Sequence, residues 1–338
     1  MNRFINIIFV LLAILCLYSS IRVFKSYRQQ FYILADFNNP TVQIRTDSYI
    51  NSIEADYPNL SLTSMSLKAL KGNYYLNSDS ISKGLEFINQ SIAERSNPFI
   101  MYPEATKAKL YFAMGQIDSA HYYSRKAFKG LPRNPFHFAE FSRTLGIKKE
   151  YDSISYYFET IKDAYDGQVW QVYLASIYNY LDDINDIEYA KDRALEALSY
   201  FSNIEQIRLV SLYILYGQEI TKKSLDIEQK AYKDFQDQNY SSALDKYKEA
   251  DKLTPKNPIN KQNLAFTYFN LKQWDSSQVY LDKLEKMKTL DSYQNYTYGL
   301  NLINQGNLQR ACKRLEMAFD EGLIQAREIM LNINCTIN

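Results

Sequence analysis

The stretch NYSSALDKYKEADKLTPKNP, residues 239–258, decides the fold. Tyr240, Ala243, Tyr247, Ala250 and Leu253 recur at steps of three and four, so they share one face of a helix. Lys246, Lys248, Glu249, Asp251 and Lys252 cover much of the remainder with charge. Pro255 and Pro258 close the helix, because proline lacks the N–H donor and its ring clashes with the preceding turn. A face built partly of alanine buries little apolar area by itself. Its use has to lie in close approach to another helix.

Copies of the stretch supply that other helix. Ala243, Ser277 and Ala311 lie 34 residues apart, as do Tyr247, Leu281 and Leu315, and Ala250, Leu284 and Ala318. Tyr240, Trp274 and Leu308 keep the same step, and the preceding helix repeats as Ala231, Ala265 and Gly299. Upstream, Ile117, Ala120, Ser124 and Ala127 map by 34 onto Tyr151, Ile154, Phe158 and Ile161. GLPRNP (130–135) punctuates that pair as TPKNP (254–258) does the later one. An earlier copy near 65–98 keeps Gly72, Tyr75, Ile88 and an NP at 97–98, with two extra residues of spacing. In such an array no unit buries its apolar face alone; stability comes from stacking neighbours.

At these residues the chain resembles the tetratricopeptide repeat, a helix–turn–helix of the same period. The match is carried by Tyr240, Ala243, Tyr247, Ala250 and Pro255, then by Tyr268, Trp274 and Leu281. Gly299, Gly306, Ala311 and Ala318 carry it in the last unit, and Gly115, Ala120, Ala127 and Pro132 upstream. The resemblance spans residues 65–320, with a gap in the middle. It implies an all-α fold, an α-solenoid of stacked antiparallel helix pairs in a superhelix. It also implies that the first helix of each pair lines a concave groove for a protein or peptide. It names no partner, because unrelated functions share the fold.

The expected organisation follows from where the register holds. Residues 1–28 form an anchor or signal segment, and 29–64 a linker with a degenerate leading helix in TVQIRTDSYINSIEADYPN. An N-terminal array occupies 65–200, an irregular helix or hinge 201–223, a C-terminal array 224–321, and a capping helix and tail 322–338. The hinge is expected because Ala190 lies 36 residues after Ile154, and because IEQIRLVSLYILYGQEI (204–220) reads as an apolar helix with no repeat partner.

FINIIFVLLAILCLYSSI, residues 4–21, is uncharged and just long enough to span a bilayer. Arg3 precedes it, and Arg22, Lys25 and Arg28 follow. A cleaved signal peptide and a single-pass anchor both fit. The length of the run, and the lack of a small-x-small triplet after it, favour the anchor. The basic residues behind the segment argue for a cytoplasmic repeat domain, whereas the very short tail with Arg3 argues for export.

Lys and Arg total 39 against 38 Asp and Glu, so no net charge draws the chain to nucleic acid. The 30 tyrosines and 18 phenylalanines suit packed helices and binding surfaces. His121 and His137 read as partly exposed helix residues, and no HExxH, CxxC, phosphate loop or GxSxG elbow is present. The expectation is no enzyme, no catalytic residue, no cofactor, no metal site and no nucleic-acid partner.

The resemblance extends to the C-terminus. GNLQRACKRLEMAFDEGLIQAREIMLNINC (306–335) is similar to the closing unit of exported tetratricopeptide or Sel1-like arrays. That likeness implies a Cys312–Cys335 disulfide, which persists only in an oxidising compartment. From the residues alone, two unpaired buried thiols fit equally. A bridge would tip the balance toward export. The repeat domain is then expected on the periplasmic side of a bacterial inner membrane, with secretion following if the segment is cleaved and a cytoplasmic orientation left open.

In the C-terminal array the helical stripe facing the groove would be Glu228, Tyr232 and Phe235, then Gln262, Phe266 and Phe269, then Tyr296, Leu300 and Ile303. In the N-terminal array it would be Lys109, Phe112 and Arg143, with the two cations one repeat apart and able to hold a carboxylate. The alternative is that Phe235 and Phe269 only pack between units and Lys109 is only solvated. The functional expectation is a membrane-anchored scaffold, held through residues 4–21, that binds another protein in the envelope. An accessory component of cell-surface glycan assembly or secretion is the other reading.

Overall fold

The computed structural model describes residues 2–38, 47–77, 80–162 and 166–335. Two compact units divide the chain, Met1–Ile161 and Lys162–Asn338. The first opens with a long helix, α1 (Asn2–Asn38), and a short one, α2 (Asp47–Ser52). Three helix pairs follow: α3 (Leu67–Tyr74) with α4 (Ile81–Ala93), α5 (Tyr102–Ala113) with α6 (Ile117–Gly130), and α7 (Pro135–Ile147) with α8 (Tyr151–Ile161). The second unit pairs α9 (Gly167–Asn179) with α10 (Ile187–Phe201), then adds the single helix α11 (Glu205–Tyr216). It continues with α12 (Gln218–Gln236) and α13 (Tyr240–Leu253), α14 (Pro258–Asn270) and α15 (Trp274–Glu285), α16 (Ser292–Asn304) and α17 (Leu308–Asp320), and ends on α18 (Gln325–Asn332). Among the described residues the only β pairing is one isolated bridge, Leu60 to Ser66.

The pairs form for the reasons the opening stretch gives. Asn134 and Asn257 cap α7 and α14, accepting from the N–H groups of His137 and Ile259, and proline takes the first helical position behind each. Proline thus starts the next helix as well as ending the last, since its missing N–H is one of the donors a helix start leaves unpaired. Five connections inside pairs are three residues long and put a left-handed residue at the same place in the repeat. These are Gly115 (φ 72°), Lys149 (φ 59°), Gln238 (φ 61°), Lys272 (φ 58°) and Gly306 (φ 78°).

The 34-residue ladder is the core. Ala231 and Ala265 are fully buried, as are Ala243, Ser277 and Ala311, then Leu281 and Leu315, then Ala250, Leu284 and Ala318. Upstream Ala120 and Ile154, Ser124 and Phe158, and Ala127 with Ile161 fill the matching places. Small residues mark where the paired helices approach. A methyl on Gly299 would sit 2.8 Å from Leu315 Cγ, and one on Gly84 would sit 2.9 Å from the Gly72 carbonyl oxygen. Where serine replaces alanine its hydroxyl is accommodated: Ser277 Oγ donates to the Ala265 carbonyl at 2.8 Å. Stacked rings recur one position further out, as Tyr75 on Phe87, Tyr111 on Tyr123, and Tyr268 on Tyr280.

Several features depart from the periodic reading. The two extra residues of the first pair lie in the loop before α5, where Arg95, Asn97 and Met101 are left-handed. The α9–α10 connection takes seven residues, 180–186, and the α3–α4 connection six, 75–80, where the other five take three. The expected hinge at 201–223 holds α11, which packs on both α9 and α10 as the first helix of a next pair would. Gly217 (φ 80°) then turns the chain directly into α12 with no second helix between. The chain divides instead after Ile161. In the leading stretch α2 covers only Asp47–Ser52 with Ile50 buried, and residues 41–46 lie outside the described residues. His121 is partly exposed, but His137 is buried at 1% exposure. Burial drives the His137 imidazole down to about 4, against the carbonyls of Leu131 and Ala127, so it is a neutral core residue at pH 7.

α1 is long and apolar enough to cross a membrane, over Phe4–Phe37, and its apolar segment is exposed. Its C-terminal half is different: Ser26, Gln30, Ile33 and Asp36 are buried, and Ile33 joins Ile50, Ile53, Leu67 and Tyr102 in the core of the first unit. At the other end Cys312 Sγ and Cys335 Sγ are bonded, with 5.6 Å between the Cα atoms, and Cys335 packs on the cluster of Leu315, Leu323 and Met330.

The left-handed turn position makes a prediction with opposite signs. Gly306→Ala places a Cβ in a conformation costing about 1 kcal/mol, whereas Lys272→Gly removes that strain and leaves stability unchanged or slightly raised. Urea unfolding of the two variants measures it, and equal losses in both would contradict the assignment of the turn.

Candidate functional site

In the second unit the first helices and α11 together form a groove. It is lined by Arg208 and Leu209 of α11, Leu225, Glu228 and Tyr232 of α12, and Ile259 and Asn263 of α14, and it encloses about 500 Å³. Glu228 and Tyr232 reach it because they lie four apart on α12, on one helical face with Leu225. Tyr232 is 54% exposed, and its hydroxyl accepts from Gln236 Nε2 at 2.9 Å. The floor is polar and internally satisfied. Arg208 Nη1 donates to both Glu228 oxygens at 3.0 and 3.1 Å, and Asn257 Nδ2 donates to Glu228 Oε2 at 3.3 Å. The groove therefore offers apolar and aromatic walls over a paired Arg208–Glu228 base, with the exposed Glu205 carboxylate also in its lining.

The other expected contacts separate into two groups. Phe235 packs on Tyr240 (5.3 Å between centroids) and Phe269 on Trp274 (5.2 Å), each inside its own helix pair. Tyr296 and Ile303 pack against the C-terminal core. Gln262 Oε1 accepts from Gln294 Nε2 at 2.7 Å, which ties α14 to α16, and Phe266 is half-buried. Of the residues named for this array, Glu228 and Tyr232 are the two that the groove brings together.

In the first unit Lys109 and Arg143 do converge on a carboxylate, and it is the chain's own Glu140. Lys109 Nζ lies 3.8 Å from Glu140 Oε1, and the Arg143 guanidinium pairs with Oε2. Lys109 also sits 4.2 Å over the Phe136 ring, and Arg143 3.7 Å over Phe112. Burial pushes the Glu140 carboxyl up, against the pull of Arg143 and Lys109, and burial likewise pushes the Lys109 ammonium down. The cations are held and partly desolvated by neighbours within α5 and α7.

Arg208 and Glu140 were both missed in the sequence reading. Each had a signal. Arg208 is the single cation in the apolar run IRLVSLYIL, where a charge needs a carboxylate, and Glu140 stands three residues before Arg143. Among the described residues no group of three His, Cys, Asp or Glu is placed to hold a metal ion.

Breaking the groove floor tests this geometry. The Arg208 and Glu228 side chains are 18% and 14% exposed. Arg208→Met leaves Glu228 desolvated and costs about 2 kcal/mol. Adding Glu228→Leu restores most of that loss, because the pair is replaced rather than broken. Denaturant midpoints of the two variants measure it; an undamaged Arg208→Met chain would mean that the floor is solvated.

No protein-family model matches the chain, and no curated protein is significantly similar to it. Solved structures that are similar include a tetratricopeptide repeat protein from Parabacteroides merdae, at 11% identity, covering 80% of this chain and 98% of that one with a TM-score of 0.35. Another is pilF of Pseudomonas aeruginosa, at 14% identity over 69% of this chain and 97% of that one, TM-score 0.30. The tetratricopeptide repeat domain of P58(IPK) gives 12% identity over 92% and 89%, TM-score 0.36. At that level of likeness the fold is read from the chain's own period and helix pairs. On those grounds the described chain is built of tetratricopeptide-type helix pairs stacked in two units.

Proposed function

We propose that this protein is a membrane-anchored scaffold that holds a peptide or helical segment of another protein in the groove of its second unit. The observation that carries the reading is the exposed Tyr232 beside Leu209, Leu225 and Ile259, over a floor whose charges are already paired. Such a surface, edged by the exposed Glu205, rewards apolar and aromatic contact from a partner segment. Exposed tyrosine on a rigid helix contributes large contact area at low entropic cost.

The anchor part of the proposal rests on α1. Its exposed apolar half runs without interruption into a half that is built into the first unit, through Ser26, Gln30, Ile33 and Asp36. Cleavage behind residue 21 would fall within a continuous helix immediately before these core contacts, which supports an uncleaved span over residues 4–21. The Cys312–Cys335 bond supports an oxidising compartment for the repeats, on the periplasmic side of the cell envelope.

A photocrosslinking amino acid at position 232 tests the groove, with position 122 on α6 as control, because Tyr122 is 62% exposed on the other unit and outside the groove. Cells producing the full chain are expected to give a discrete adduct from position 232 and none from 122. Tyr232→Ala combined with Ile259→Glu is expected to lower partner recovery about tenfold, the loss of about 1.4 kcal/mol. Equal adducts from both positions, or full recovery with the double variant, would contradict the reading.

A further inference from the structure

The rotation of α1 about its own axis is fixed by the first unit. Gln30 Nε2 donates to Ser26 Oγ at 2.9 Å, and Gln30 Oε1 accepts from the Leu62 N–H at 3.1 Å. Ile33 lies in the core, Asp36 is buried, and Arg22 pairs with Glu54. These contacts commit one face of the helix beyond residue 21. The opposite face carries Phe24, Tyr27, Arg28 and Phe31, with Lys25 on its flank; Phe24 and Phe31 are each 64% exposed and Tyr27 47%. Lys25 and Arg28 are exposed as well.

Position along the helix says what meets that face, given the anchor reading above, on which this inference rests. At 1.5 Å per residue the apolar run 4–21 measures about 27 Å, close to the hydrocarbon thickness of a bilayer. Phe24 to Arg28 then falls in the next 5–10 Å, roughly the headgroup layer. One ring with a hydroxyl for water, Tyr27, and two apolar rings, Phe24 and Phe31, interleaved with cations, match that layer and not the alternatives. A packed partner helix would favour small or apolar residues at the seam and would bury Lys25 and Arg28 unpaired. Bulk water would leave three large rings at positions i, i+3 and i+7 uncovered.

The geometry points to anionic phospholipid headgroups as the ligand of this face. Lys25 and Arg28 take the phosphates, and Phe24 and Tyr27 occupy the boundary between headgroup and acyl chain. Phe31, one turn further out, joins them when the helix tilts toward that face. Because the same helix is bonded into the first unit on its other side, lipid contact sets the first repeat against the membrane surface at a defined rotation.

The test uses the full chain in nanodiscs containing bromine-labelled phospholipid, which quenches nearby tryptophan. Reporters are Ile8→Trp and Tyr27→Trp, with the unsubstituted chain giving the background of Trp170 and Trp274. Ile8→Trp is expected to be quenched equally in phosphatidylcholine and phosphatidylglycerol discs. Tyr27→Trp is expected to be quenched on the order of twofold more in the anionic discs. Adding Lys25→Glu and Arg28→Glu is expected to abolish that difference. Quenching at 27 that is absent, equal in both lipids, or unaffected by charge reversal overturns the headgroup assignment while quenching at 8 leaves the anchor standing. No quenching at 8 overturns the anchor and this proposal with it.

Discussion

The structure depends on the close approach of two backbones at the centre of its closely packed helix pairs, α3–α4, α5–α6, α12–α13, α14–α15 and α16–α17. A small residue on the first helix faces a small residue on the second, as Gly72 faces Gly84 and as Ala231 and Ala265 stand with Ala243 and Ser277. With the axes that near, residues one and two turns away reach past the pair into its neighbour. Tyr247, Leu281 and Leu315 are buried in this way, and so are Phe158 and Ile88. An isolated pair would leave those side chains in water, so the stack and not the pair is the stable object. Cores packed at this density accept little change in volume, and one added carbon at the contact has to displace something.

The same constraint decides which surface is free to recognise anything. Small inner faces and large inter-pair residues use up two sides of each helix, and the outward side of the first helix remains. Even there the chain satisfies its own charges: Glu140 occupies Lys109 and Arg143, and Glu228 occupies Arg208. Paired and partly buried, these groups fix the spacing between successive helices more than they advertise a charge. What stays open in the groove is the exposed Tyr232 ring, with the Glu205 carboxylate at the edge.

Much of this was legible in the sequence because the repeat puts equivalent chemistry at equal intervals. The ladder through Ala243, Ser277 and Ala311 and the left-handed turns at Gly115 and Gly306 follow from the period and from glycine. Three things were not legible, each for a physical reason. The half of α1 inside the first unit is buried largely through Ser26, Gln30 and Asp36, and polar residues leave no hydrophobic period to find. α11 fills a first-helix place without a second helix behind it, so a search for pairs reads it as a break. Phe235 and Phe269 stand at groove-facing positions by spacing, yet each sits at the end of its helix, where the turn brings Tyr240 or Trp274 against it. Spacing gives the face of a helix but not what the next turn folds over it.

Gly84→Ala tests the central contact most directly, because its sign is at stake. In a helix with room to spare, replacing glycine by alanine stabilises by about 1 kcal/mol through propensity alone. Here the new methyl would meet the Gly72 carbonyl oxygen at 2.9 Å, and backbone cannot step aside as a side chain can. Equilibrium urea unfolding of the full chain is predicted to show a net loss of about 1–3 kcal/mol for the variant. A gain in stability would show that the two backbones do not approach as described and would contradict the account.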